Sequence, residues 1–73
     1  MKRIYEVEYE EKWKGCPWVG LSITVAANGD MRHAVAKARR HALRQFYVDD
    51  NGKRKKCIRF RATGVRVVAT AEI

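Results

Sequence analysis

The sequence is short of most of the residues that would commit it to a specialised chemistry. It has one proline and five glycines, and they gather into no linker, so residues 1–73 are expected to form a single small basic domain. Its two cysteines, Cys16 and Cys57, are too few for the disulfide framework of a small secreted fold. They also lack the paired Cys-x-x-Cys spacing of a zinc site. Two free thiols in a reducing, cytoplasmic setting fit best, with one bridge between them as the alternative. No apolar run approaches the roughly 20 residues of a membrane span. Lys2, Arg3, Glu6 and Glu8 interrupt the start of the chain, so no signal peptide is expected either.

Acids are the other shortage, with 8 Asp and Glu against 16 Lys and Arg for a formal charge of +8. An apolar share of 47% is nevertheless enough to fold. A chain of this size removes only about 60% of its unfolded surface from water, so the core is thin and a deep catalytic cavity is not expected.

Residues 3–10 alternate. Tyr5, Val7 and Tyr9 fall on one face and Glu6, Glu8 and Glu10 on the other, the period of a half-buried strand. Gly15 and Pro17 mark a hairpin loop over residues 11–17, and a second strand follows from Trp18 to Ala26, with Val19, Leu21, Ile23 and Val25 on its dry side. Asn28-Gly29-Asp30 is turn and cap chemistry. From Met31 the period lengthens: Met31, Val35, Ala38, Ala42 and Phe46 form one helical stripe, with Ala34 beside it, which predicts a helix of about 17 residues ending near Val48. Asp49-Asp50-Asn51-Gly52 is a turn placed beyond the negative end of the helix dipole.

After Lys53-Arg54-Lys55-Lys56, alternation returns through Ile58, Phe60 and Ala62. Thr63-Gly64 interrupts it before Val65–Ala71, which leaves one bulged strand or two short ones. The expected fold is α+β, with order β-β-α-β, a three-stranded antiparallel sheet in order 2-1-3 and one helix on one face. In that sheet the three glutamates lie opposite Arg59, Arg61 and Arg66.

Catalytic chemistry has little to stand on. His33 and His41 are eight residues apart on a helix, about 12 Å along its axis, too far to share a metal directly. Neither cysteine has a recognisable acid–base partner, and the glycines form no phosphate-cradling loop. No cofactor or metal is expected, and the chain reads as a non-enzyme.

The charge is concentrated. Residues 1–26 balance four cations with four glutamates, whereas residues 27–73 hold twelve cations against Asp30, Asp49, Asp50 and Glu72. On the helix, His33, Lys37, Arg40 and Arg44 lie opposite the apolar stripe with no acid between Met31 and Val48. A solvated outer face usually mixes both signs, so an unmixed ridge points to an anionic partner. Lys53, Arg54, Lys55 and Lys56 add a basic loop. Trp13 and Trp18, among Lys12 and Lys14, place two indoles in an exposed connection, either folded back on the sheet or anchoring a base or a partner, and Tyr47 on the helix flank shares that ambiguity.

The passage from Ala26-Ala27-Asn28-Gly29-Asp30 into the alanine-rich helix and on to Phe60-Arg61-Ala62-Thr63-Gly64-Val65-Arg66-Val67-Val68 resembles small phage and prophage β-β-α-β proteins, including podophage inhibitors of bacterial RNA polymerase. The resemblance implies the fold and a phage-like origin. It assigns no functional residue, and those inhibitors use acidic surface where this chain is basic.

Three functions are therefore in view. The first is nucleic-acid binding through Lys37, Arg40, Arg44 and Lys53–Lys56, with Trp13 stacking. The second is a phage-type modulator binding an acidic host-protein surface through Trp13, Trp18, Tyr47 and Leu43. The third is a homodimer paired through the sheet.

Overall fold

The computed structural model describes residues 2–71; Glu72, counted above among the acids, lies outside them. The chain runs as β1 (Lys2–Trp13), β2 (Val19–Ala27), α1 (Met31–Arg44), β3 (Phe46–Val48) and β4 (Arg54–Ala71). The class is α+β. The sheet has four strands in the order β2-β1-β4-β3, all antiparallel neighbours, instead of three in the order 2-1-3.

The added strand comes from the end of the expected helix. Phe46 continues the i, i+4 spacing, but the helix stops at Arg44, where Gln45 is extended and its N–H donates to the Ala42 carbonyl. Phe46–Val48 then pair with Lys56–Arg54. This places Tyr47 on a strand, not on a helix flank, and leaves Phe46 half-exposed instead of in the core. Asp49 closes the tip, its carboxylate accepting from the N–H groups of Asn51 and Lys53, and Gly52 supplies the positive φ of 75° that this turn requires.

β1 is the central strand. Against β2 its register is unbroken, from Arg3 opposite Ala27 to Glu11 opposite Val19. Against β4 the register slips three times, after Ile4, Glu8 and Lys12. The residues left over on β4 are Val68, Thr63 and Ile58, five apart, so the strand after Lys53 is a single one carrying three bulges. These slips also change the expected ion pairs. Arg66 meets Glu6 at 2.8 Å and Arg61 meets Glu10 at 2.7 Å, but Glu8 faces Gly64, and Arg59 faces Lys12.

The core is one seam. Ala34, Ala38 and Ala42 of α1 are fully buried against Tyr5, Val7 and Tyr9 of β1, with Ala27 at one end. Alanine at every fourth position lets the helix backbone approach the tyrosines closely. The helix begins over β2, where the Lys37 ammonium donates to the Ala26 carbonyl, and finishes beside β4, where the Cys57 N–H donates to the Gln45 carbonyl. The hydroxyl of Tyr5 donates to the Gly29 carbonyl at 3.1 Å and pins its entry. This diagonal leaves two opposite corners of the sheet uncovered, Val19 and Leu21 on β2 and Val67 and Val68 on β4, each more than 40% exposed.

Asp30 caps the helix. Its carboxylate accepts from the Arg32 backbone N–H, the Arg32 guanidinium and the His33 ring. The Arg32 guanidinium, aided by the His33 ring, holds the Asp30 carboxyl below its usual range. A carboxyl with a lowered folded-state pKa contributes stability above its unfolded value of about 3.9 and loses it as pH falls through the folded value.

Two outcomes follow. The melting-temperature gap between wild type and Asp30→Ala, followed by circular dichroism, should be open at pH 5 and should narrow as pH falls below about 4. Ala38→Leu should lower the urea unfolding free energy by about 1–3 kcal/mol through overpacking of the seam; an unchanged midpoint would show that the helix sits further from β1.

Candidate nucleic-acid interface

The structure divides the basic ridge of α1 into two halves with different roles. Toward the N-terminus, His33 is engaged with Asp30 and Lys37 with the Ala26 carbonyl. Toward the C-terminus, Arg40 and Arg44 are exposed and, among the described residues, have no ion-pair partner. Arg39, beside them, is also exposed and unpaired in the same sense. The helix carries no acid and ends in His41 and Arg44, cations that suit the negative end of its dipole.

Lys53–Lys56 do not form a loose arm. Lys53 closes the β3–β4 turn, and Arg54, Lys55 and Lys56 open β4, held in the ladder opposite Val48, Tyr47 and Phe46. The Arg54 guanidinium lies 3.9 Å above the Phe46 ring, and Lys55 is 3.9 Å from the Asp49 carboxylate. A shallow depression at this end is lined by Lys14 together with Lys53–Lys56 and Ile58. A second one, beside it through the shared Ile58, is lined by Arg39, Leu43, Arg59, Phe60, Arg61 and Trp18. Arg39 of the helix and the cations of the hairpin thus belong to one end of the molecule, whereas Arg40 lines a separate depression with Asn28, His33 and Lys37 beside the β2–α1 turn.

The aromatic residues are split between two places. Trp13 stands 5.5 Å from Tyr47, ring centre to ring centre, and its indole N–H donates to the Glu11 carboxylate at 3.0 Å. Trp18 instead lies under Arg61, whose guanidinium is 4.0 Å from the ring while also bridging to Glu10. Both indoles are half-buried; Phe46 and Tyr47, at 50% and 47%, are the more exposed aromatics here.

Several residues of this end escaped the sequence pattern. Phe46 fits the core stripe and Arg59 an ion pair, while no pattern marks Arg39. Glu11, read as the first loop residue, prolongs the Tyr5-Val7-Tyr9 alternation by one step and is 1% exposed; that alternation was the signal for it. Only one of its oxygens has a partner, the Trp13 indole. Burial, with the nearby Glu11 charge, raises the Tyr9 phenol and the Cys57 thiol above their usual ranges. Cys57 is buried and donates to the Arg59 carbonyl at 3.2 Å, and it is not bridged to Cys16. His41 is hydrogen-bonded to the Gln45 amide at 2.9 Å. Among the described residues, no three potential metal ligands gather, and no helix is long and apolar enough to cross a membrane.

Compared with known proteins, the chain matches no family model, no curated sequence and no solved structure.

The thiols give a check on this end of the fold. In the native protein, Cys16 should react readily with a chromogenic disulfide reagent. Cys57, buried and with its thiolate disfavoured, should react only in denaturant; equal rates for the two would contradict its placement.

Proposed function

We propose that the protein binds nucleic acid, with no catalytic step of its own, through the basic end formed by the last turns of α1 and the β3–β4 hairpin. The observation that carries this reading is that Arg40 and Arg44, on a helix without acids, have no ion-pair partner among the described residues, and that Lys53, Arg54 and Lys56 follow on the next hairpin. Like charges on successive helical turns repel, and a phosphate backbone relieves that repulsion while releasing its own condensed counterions. The half-exposed rings of Phe46 and Tyr47 lie on opposite faces of β3, one stacked with Arg54 and the other packed on Trp13, and an unstacked base would extend one of these stacks beside a positive charge.

Phosphate contacts position a protein without reading sequence. The alternative, a phage-type modulator gripping a host protein, called on Trp13, Trp18, Tyr47 and Leu43 as one anchor. Trp18 packs beneath Arg61 in a depression it shares with Leu43, while Trp13 packs on Tyr47; the four residues form two clusters instead of one anchor, and the surrounding cations favour the nucleic-acid reading.

Tryptophan fluorescence titrated with mixed-sequence duplex DNA, single-stranded DNA and RNA tests it. Affinity for at least one of these should fall by about 10³-fold or more between 50 and 200 mM salt, as expected for some six phosphate contacts. Arg40→Glu with Arg44→Gln should abolish that binding and leave the melting temperature within a few degrees, since neither side chain has an ion-pair partner among the described residues. Undiminished binding by the double variant would remove the helix from the interface, and no binding of any nucleic acid at 50 mM salt would overturn the proposal.

A further inference from the structure

The sheet ends in two open edges, and they are built differently. On one side β3 covers only Arg54–Lys56 of β4. The rest of that edge is interrupted by the bulges at Ile58, Thr63 and Val68 and carries Arg59, Arg61 and Arg66. Bulges and charges are the usual devices that stop an edge from pairing with another chain. The other edge, β2, has neither. Its nine residues, Val-Gly-Leu-Ser-Ile-Thr-Val-Ala-Ala, include no charge and no proline, and its register with β1 never slips. In a chain where one residue in three is charged, an uncharged, unbulged edge strand is the conspicuous exception.

The surface of the chain points the same way. A compact monomer of 8.5 kDa exposes about 4,700 Å², whereas this chain exposes 5374 Å². The excess of about 700 Å² is close to the roughly 800 Å² that each partner contributes to a standard protein interface. The radius of gyration, 14.1 Å, also exceeds the roughly 11 Å of a compact domain of 73 residues. Part of the uncovered area lies along β2, where Val19 and Leu21 are each 42% exposed although they face the helix side.

We propose that β2 pairs antiparallel with β2 of a second copy, joining two sheets into one of eight strands across a twofold axis at Ser22. The Lys37 ammonium occupies the Ala26 carbonyl, so the stretch left for pairing is Val19–Val25, whose midpoint is Ser22. Around that midpoint the strand complements itself: Leu21 meets Ile23, Val19 meets Val25, and Gly20 meets Thr24. Every pair joins apolar to apolar or small to small. An isologous contact of this kind closes at two copies, whereas a heterologous one leaves further edges open. The axis stands normal to the sheet, so both helices lie on the same face. The inference is independent of nucleic-acid binding.

Sedimentation equilibrium at about 100 μM protein and 150 mM salt, without nucleic acid, is the first measurement, and the expected mass is twice 8.5 kDa. Ser22→Lys puts two ammonium groups face to face at the axis and should return the mass to that of one chain, with the β-sheet signal in circular dichroism retained. Ser22→Cys in a Cys16→Ser background places two thiols on directly opposed residues, within reach of a disulfide, and should give a covalent dimer under mild oxidation. A wild-type mass of one chain would overturn the proposal and leave the edge to a strand of another protein. A wild-type dimer that Ser22→Lys leaves intact, or that Ser22→Cys fails to trap, would place the interface elsewhere and overturn it equally.

Discussion

The packing of three alanines on two tyrosines and a valine is the constraint from which the rest of this structure follows. Ala34, Ala38 and Ala42 present almost no side chain, so α1 lies flat on Tyr5, Val7 and Tyr9, and that seam is nearly the whole of the fully buried core. A 14-residue helix is about 21 Å long, while the 12 residues of β1 extend for about 40 Å. One helix cannot roof such a sheet. It crosses on the diagonal instead, which buries the middle of β1, bares two corners and delivers its basic C-terminus to the turn into β3. The position of the cations is thus a geometric result of where the helix has to end.

Much of this arrangement was legible in the residues. The alternation of Tyr5, Val7 and Tyr9 with Glu6, Glu8 and Glu10 marks β1 and its faces, and Asp30 marks the helix start because a carboxylate there satisfies free N–H groups. The helix end was not legible. Phe46 fits the helical period as well as it fits a strand, and β3 exists only because residues 54–56 pair with it, a contact outside any local pattern. Glu11 was missed for a related reason: a carboxylate beside Lys12 and ahead of Gly15 reads as a loop, and only continuation of the strand period sends it inward.

The candidate site was visible as composition more than as geometry. The acid-free ridge of Arg40 and Arg44 is plain in the sequence, but what separates them from Lys37 is a hydrogen bond to the Ala26 carbonyl. Arg59 was assigned to a glutamate because uniform alternation pairs it so. Each bulge on β4 shifts that pairing by one residue, so Arg61 and Arg66 keep their acids while Arg59 lands opposite Lys12. Bulges arise from the mismatch between a coiled strand and its neighbour, and a run of β-formers does not announce where they fall.

The pairing of β1 with β4 joins Lys2 to Ala71 at one end and Trp13 to Cys57 at the other. Almost every rung of the central ladder therefore spans most of the chain. During synthesis on a ribosome, β1 and β2 can meet early, but the other flank of β1 stays open until residues of β4 have emerged. Contacts this distant in sequence make folding slow, and in that interval the tyrosine face of β1 is exposed to whatever else is in the cell. A chain of this topology completes its fold only once β4 has emerged, which makes its yield more sensitive to loss of residues 54–71 than to loss of an equal stretch from a helical protein.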